Sequence, residues 1–234
     1  MILFINPPFG NYLNLPETIS IRGSFTLQPR NGLFSQIIKT LRYSFEHKGW
    51  INKIGLRNKG IDYALSTYKN NQIISIAILK DSEIELFNKK IPKDVNLELN
   101  ISCPNINKKL VSSGLNCFLN EKRKWCIIKL SPLTDKKLID SYYKQGFRQF
   151  HCCNTLPVKN GGLSGYKLIP YVNKQIKYIK NNYPDTIIIA GGGIRSWYDV
   201  TNYLKLNADH IGISTILFNP IKSCILYYKY IKNI

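Results

Sequence analysis

The stretch ELNISCPN, Glu98 to Asn105, places Cys103 between Asn100 and Asn105, directly after a run that reads as a buried strand and directly before a proline. A thiol works as a base or nucleophile through its thiolate. An ordinary cysteine, with a pKa of ~8.5, is only a few per cent ionised at neutral pH, so a working Cys103 predicts activation by its surroundings or an alkaline optimum. Free cysteines are more often small buried residues with no chemistry; the setting at a strand end, flanked by asparagines, favours the chemical reading. Lys129 lies inside the apolar run IIKL, an awkward place for a cation in a covered strand unless it serves a site. Asn154 and Thr155 follow another apolar run, and three glycine clusters come later: GGLSG (161–165), GGGI (191–194) and GIST (212–215). Glycines near helix starts let backbone N–H groups approach an anion with no Cβ in the way, so the last two clusters suit a phosphorylated cofactor.

Positioning such groups requires strands that all end on one side. Eight short apolar runs are strand-like: ILFIN, TISIRG, IISIAIL, VNLELNI, WCIIKL, FRQFHCC, TIIIAGG and HIGIST. Their β-branched and aromatic content, with few internal charges, fits strands covered on both faces, as in parallel sheets. Helical patterns lie between the later runs. Leu168, Val172, Ile176 and Ile179 share one face, Leu138, Ile139 and Tyr142 share another before Gly146 stops the helix, and Ser196 with Asp199 marks a helix start. The expected fold is α/β, a (β/α)8 barrel at the small end of the ~200 to 400 residues typical of that class, with chemistry where strands end. Between the first two strands PPFGNYLNLPE is too short and too rich in Pro and Asn for a crossover helix, so the first βα unit is shortened. Residues 25–70 form an excursion in which LFSQIIKTLRYSFEHKG is helical in pattern and WINKIGLRNKG reads as a turn region.

With 234 residues and 44% hydrophobic content the chain can bury one sizeable core, giving one domain over 1–234. Six cysteines occur without a Cys-x-x-Cys pair or metal-ligand spacing, and no apolar run reaches the ~18 residues of a membrane span, so a cytoplasmic chain with reduced thiols is expected. Lys and Arg total 33 against 14 Asp and Glu, a net charge of +19. The lysines are scattered beside Asn, Ile and Tyr, which reads as a solvated basic surface rather than a nucleic-acid footprint.

In order along the chain, INKIGLRNKGID, ELNISCPN, IIKLSP, CNT, GGLSG and GGGI resemble the dihydroorotate dehydrogenase family from Ile21 onward, in its soluble, cysteine-using class. The resemblance implies an FMN barrel oxidising dihydroorotate to orotate in pyrimidine synthesis: a base takes the C5 proton while hydride passes from C6 to flavin N5. It implies Cys103 as the base and Asn52, Asn100, Asn105 and Asn154 as hydrogen-bonding groups for the substrate, a flat ring edged with amide donors and acceptors. Gly55, Leu56 and Thr155 would line the substrate pocket. Lys129 would lie beside the flavin, where its charge favours the reduced form. Asn100 and Cys153 would also contact the flavin, and Gly165, Gly192, Gly193, Ser214 and Thr215 would hold its phosphate. His151 matches no family role and reads as structural. Fumarate or a partner flavoprotein is the implied electron acceptor, and a homodimer the implied assembly.

Two departures from the family pattern imply reduced activity. Gly23, in IRGSFTL, occupies the place of a lysine that contacts flavin and substrate, while Arg22 should face the other side of the strand; on that basis Gly23→Lys is expected to raise turnover. The first βα unit also lacks the family's Ala-Ser-Gly segment. Two further readings use the same residues: a flavoenzyme of the tRNA dihydrouridine synthase kind, which the basic charge would suit, and a noncatalytic relic of the barrel.

Overall fold

The computed structural model describes residues 1–101 and 114–234; Cys103 and Asn105 lie outside the described residues. In chain order the elements are β1 (Leu3–Ile5), β2 (Thr18–Phe25), α1 (Leu33–Thr40), β3 (Arg42–Ser44), β4 (Gly49–Asn52), α2 (Gly60–Ser66), β5 (Gln72–Ile76), α3 (Glu83–Lys90) and β6 (Leu97–Asn100). They continue with β7 (Cys126–Leu130), α4 (Lys136–Lys144), β8 (Gln149–Cys152), β9 (Leu156–Val158), β10 (Gly161–Gly165), α5 (Ile169–Asn182), β11 (Ile187–Gly191), α6 (Trp197–Lys205), β12 (His210–Ile213) and α7 (Pro220–Ile231).

Eight strands close into a parallel barrel in the order β1-β12-β11-β8-β7-β6-β5-β2, and each coincides with one of the eight apolar runs. The fold is a (β/α)8 barrel. Alternation along the strands divides the interior into two levels. Phe4, Ile21, Ile73, Trp125, Ile127 and Ile189 form an inner apolar cluster. Two residues further along their strands come Asn6, Gly23, Ser75, Lys129 and Gly191, joined by Glu98 and His151, so the interior turns polar toward the strand ends. The outward faces pack under the helices in a larger cluster that includes Ile74, Leu97, Ile128, Phe150 and Ile188.

The helices carry their expected faces. Val172, Ile176 and Ile179 of α5, and Ile139 and Tyr142 of α4, are buried. Asp135 caps α4 by accepting from the Lys137 N–H at 3.0 Å, and Gly146, at φ 101°, ends that connection in a conformation few other residues adopt. At α6 the capping box is one-sided: Asp199 accepts from the Arg195 N–H at 2.9 Å and from Ser196 Oγ at 3.1 Å. The first βα connection holds only a 3-10 turn, Phe9–Asn11. Among the described residues, no helix is long and apolar enough to cross a membrane.

The excursion departs from expectation. Its helical pattern ends at Thr40; β3 and β4 follow, in a stretch read from sequence as helix and turn. They join β10 and β9 in a second, antiparallel sheet of order β3-β4-β10-β9. GGLSG is therefore a strand of this sheet, its last residue Gly165 at the cleft. Its glycines permit close pairing, since a Cβ at Gly161 would sit 2.2 Å from the Asn52 carbonyl oxygen. Trp50 fixes this sheet to the barrel, its ring centroid 4.5 Å from that of Phe218, just after β12.

Candidate functional site

The polar level of the barrel is organised around one carboxylate. Glu98 is fully buried, and burial alone would raise its pKa; Lys129 and His151 beside it, with hydrogen bonds from His151 and Ser75, hold it well below the usual carboxylate range. Its Oε1 accepts from Ser75 Oγ at 2.7 Å and Lys129 Nζ at 3.2 Å, and its Oε2 lies 2.5 Å from His151 Nδ1. Burial pushes the His151 imidazole down despite that carboxylate, so His151 is neutral with its proton on Nδ1. The room for this ring comes from glycine: a Cβ at Gly191 would lie 2.9 Å from His151 Nε2, and one at Gly212 would lie 3.1 Å away.

From Ser75 a chain of hydrogen bonds climbs toward the strand ends. Ser75 Oγ is 3.0 Å from Ser24 Oγ, Asn100 Nδ2 donates to Ser24 Oγ at 2.7 Å, and Asn154 Nδ2 donates to Asn100 Oδ1 at 3.0 Å. Above this network lies a cleft at the C-terminal ends of the strands, where the βα connections of a barrel place their chemistry. Lys129, Cys153, Asn154, Thr155, Gly165, Gly192, Gly193, Ser214 and Thr215 all line it, together with Asn6. Nine expected site residues from five segments thus meet in one cleft. Gly192 and Gly193 take φ of 110° and 78°, and a Cβ on Gly193 would press to 2.6 Å from Ile169 Cγ1, so the cradle is built for glycine. Burial pushes the Cys152 and Cys153 thiols up, which leaves both protonated and unsuited to act as bases.

Other expected residues lie elsewhere. Asn52 ends β4, paired with Gly162, and Gly55 and Leu56 follow in a left-handed turn with φ of 70° and 55°. Among the described residues these three do not line the cleft. Arg22 points outward as expected: its guanidinium donates to the Thr67 carbonyl at 2.9 Å, to Thr67 Oγ1 at 2.7 Å and to Gln72 Oε1 at 3.2 Å. Gly23 faces inward, but its φ of 121° and a would-be Cβ only 2.4 Å from the Ser75 carbonyl oxygen leave no place for a lysine side chain on this backbone. The backbone at Gly23 therefore opposes the expectation that Gly23→Lys raises turnover. Sequence reasoning missed Glu98, Ser75 and Asn6. The signal was present for Glu98, a charge within LELN on the same face as Asn100.

No family model matches the chain. Among curated proteins, the dihydroorotate dehydrogenase B (NAD(+)) catalytic subunit of Thermotoga maritima is 28% identical over 257 residues, covering 93% of this chain and 91% of the relative. The subunit of the same name from Oceanobacillus iheyensis is 28% identical over 218 residues, covering 77% and 71%. The chain is thus similar to dihydroorotate dehydrogenase catalytic subunits over 93% of its length. These relatives indicate an oxidoreductase of the dihydroorotate dehydrogenase type, and the resemblance seen in the motifs extends over nearly the whole length of the chain. The DHODH of Eimeria tenella, solved in complex with ferulenol, superposes with a TM-score of 0.66 over 89% of this chain and 72% of its own, at 16% identity; at that distance it speaks for the shared dehydrogenase fold alone.

Proposed function

We propose that this chain is an FMN-dependent dihydroorotate dehydrogenase, oxidising dihydroorotate to orotate in pyrimidine synthesis within one barrel domain. The observation that carries the proposal is the strand-end cleft, where a lysine fixed by a buried glutamate meets an asparagine pair and a glycine cradle, in a chain aligned with dihydroorotate dehydrogenases over 93% of its length.

The residues fit a phosphorylated flavin. Gly165, Gly192 and Gly193 line the cleft wall with no side chain in the way, and Ser214 and Thr215 begin a 3-10 turn beside them, a setting suited to the phosphate. The free volume of the cleft is about 80 Å3, smaller than FMN, so the cofactor would extend out through the open mouth. When bound, FMN supplies the hydride acceptor. Lys129, anchored through Glu98, sets positive charge at the cleft floor, where negative charge accumulates on reduction. Asn100 and Asn154, bonded to each other, and Asn105 are the amides that would recognise a flat anionic ring. Thr155 lines the substrate side of the cleft, and Cys153 contacts the cofactor. Cys103 takes the proton from C5 of dihydroorotate as a thiolate, a form that an alkaline medium favours.

The relatives carry NAD(+) and "catalytic subunit" in their names, which favours an NAD(+)-linked assembly with a partner subunit over fumarate as the route for electrons. The test of the chemistry is Cys103→Ala in FMN-loaded protein. Dihydroorotate should no longer reduce the flavin, while orotate still perturbs its spectrum; reduction at the unmodified rate would remove Cys103 from the mechanism.

A further inference from the structure

The hydrogen bonds between Glu98 and the two cleft asparagines run in one direction only. The ionised Glu98 carboxylate can only accept, and its Oε1 takes the hydroxyl hydrogen of Ser75 at 2.7 Å. A serine has one hydrogen to give, so Ser75 can only accept from Ser24, whose hydroxyl donates to it at 3.0 Å. Ser24 is then left with acceptor capacity alone, which selects the NH2 of Asn100, at 2.7 Å, over its carbonyl. Asn100 therefore turns Oδ1 to Asn154, whose Nδ2 donates at 3.0 Å. The far end agrees independently: the Thr155 N–H can only donate, and it lies 2.9 Å from Asn154 Oδ1. A carboxylate at one end and a backbone N–H at the other dictate the same orientation for both amides.

The backbone is shaped to include Ser24. Gly23 faces the barrel interior, and regular alternation would turn Ser24 outward. Between Gly23 and Phe25, however, the pairing of β2 with β5 slips: Gly23 lies opposite Ser75 and Phe25 opposite Ile76, which leaves Ser24 as an extra residue. A bulge re-aims the side chain it carries, and here it brings the half-buried Ser24 hydroxyl between Ser75 of β5 and Asn100 of β6. Ser75 sits beside Glu98 in the register of β5 with β6, so carboxylate, two hydroxyls and two amides form one unbroken series from the fully buried Glu98 to the cleft wall at Asn154.

We propose that Ser24 and Ser75 are positioning residues, which carry the orientation set by Glu98 to Asn100 and Asn154 and so fix the edge that each amide offers to the substrate. This rests on the reading of those asparagines as substrate-binding groups. An amide able to turn over offers donor and acceptor interchangeably, and a ligand must then select one arrangement at a cost in affinity; a fixed pair has met that cost before binding.

The test measures orotate dissociation constants, from the change in the flavin spectrum of FMN-saturated protein, for the parent, Ser24→Ala, Ser75→Ala, the double variant and Ser24→Thr. Each single alanine variant should bind orotate about tenfold more weakly, the size of one well-made hydrogen bond, although Ser75 touches neither asparagine. Because the serines act in series, the double variant should be no weaker than the weaker single. Ser24→Thr keeps the hydroxyl and should match the parent within about twofold. Losses that add in the double variant would give the serines separate roles and overturn the proposal. Unchanged affinity in Ser75→Ala would overturn it too, as would Ser24→Thr binding as weakly as Ser24→Ala. If Ser75→Ala does not fold, the comparison of Ser24→Ala with Ser24→Thr decides alone. A parent protein that loads FMN but binds no orotate would overturn the dihydroorotate reading itself, and this inference with it.

Discussion

Substituting Gly23 gives the sharpest test of the barrel geometry, because sequence comparison and structure forecast opposite outcomes. At φ 121° a side chain carries a backbone penalty of about 1–3 kcal/mol. A Cβ 2.4 Å from the Ser75 carbonyl oxygen is closer than real Cβ atoms come, and the atom it meets is backbone of the neighbouring strand. Relief requires β2 and β5 to part where Gly23 pairs with Ser75, losing a ladder hydrogen bond worth about 1 kcal/mol and loosening the Ser24, Ser75 and Glu98 contacts. The sum is about 3 kcal/mol or more, against a total stability of about 5–15 kcal/mol, and corresponds to a fall in Tm of about 6–12 °C for a chain of this size. Gly23→Ala and Gly23→Lys should therefore both be destabilised in thermal and urea unfolding, with the lysine variant no more active than the parent. A Gly23→Lys protein that melts within 2 °C of the parent and turns over faster would refute the steric argument and reinstate the missing-lysine explanation.

Other expectations follow from the buried carboxylate and its neighbours. Glu98→Gln removes one partner of a buried pair and should cost about 3–5 kcal/mol in urea unfolding, with Glu98→Gln/Lys129→Met recovering part of the loss; a change below 1 kcal/mol would deny Glu98 its central place. Glu98 has a depressed pKa in the fold, so the unfolded chain takes up its proton first as pH falls through the ordinary carboxylate value of 4.5. His151 is depressed likewise from 6.5, and both groups make stability fall with acidification below about pH 6.5; urea midpoints independent of pH between 7 and 4 would contradict the assignment. Gly191→Ala should displace the His151 ring and lower Tm by several degrees, read by thermal melting, whereas Gly32→Ala meets no atom within 4 Å and costs only its backbone strain at φ 90°.

The barrel was legible because each of its strands is covered on both faces, so runs such as IISIAIL and TIIIAGG have an apolar signature that turns do not imitate. The small sheet was hidden for the opposite reason. β3 and β4 are partly exposed, and β10 consists largely of glycine, which reads as loop although here glycine permits the close approach to β4. At the site, Lys129 and the GGGI and GIST clusters could be placed from strand ends alone, since a barrel brings those ends together whatever the loops do. The Glu98–His151 pair could not be. It depends on lateral register, Lys129 beside His151 and His151 beside Ile189, and no single segment carries that information.

On the proposed function, the strand-end cleft oxidises dihydroorotate through a bound flavin. Anaerobic titration of the FMN-loaded protein with dihydroorotate, followed by flavin absorbance, tests it directly. Stoichiometric bleaching, with orotate appearing in equal amount, is the expected result. A flavin that a chemical reductant bleaches but dihydroorotate does not, at any pH from 6 to 9, would contradict the claim.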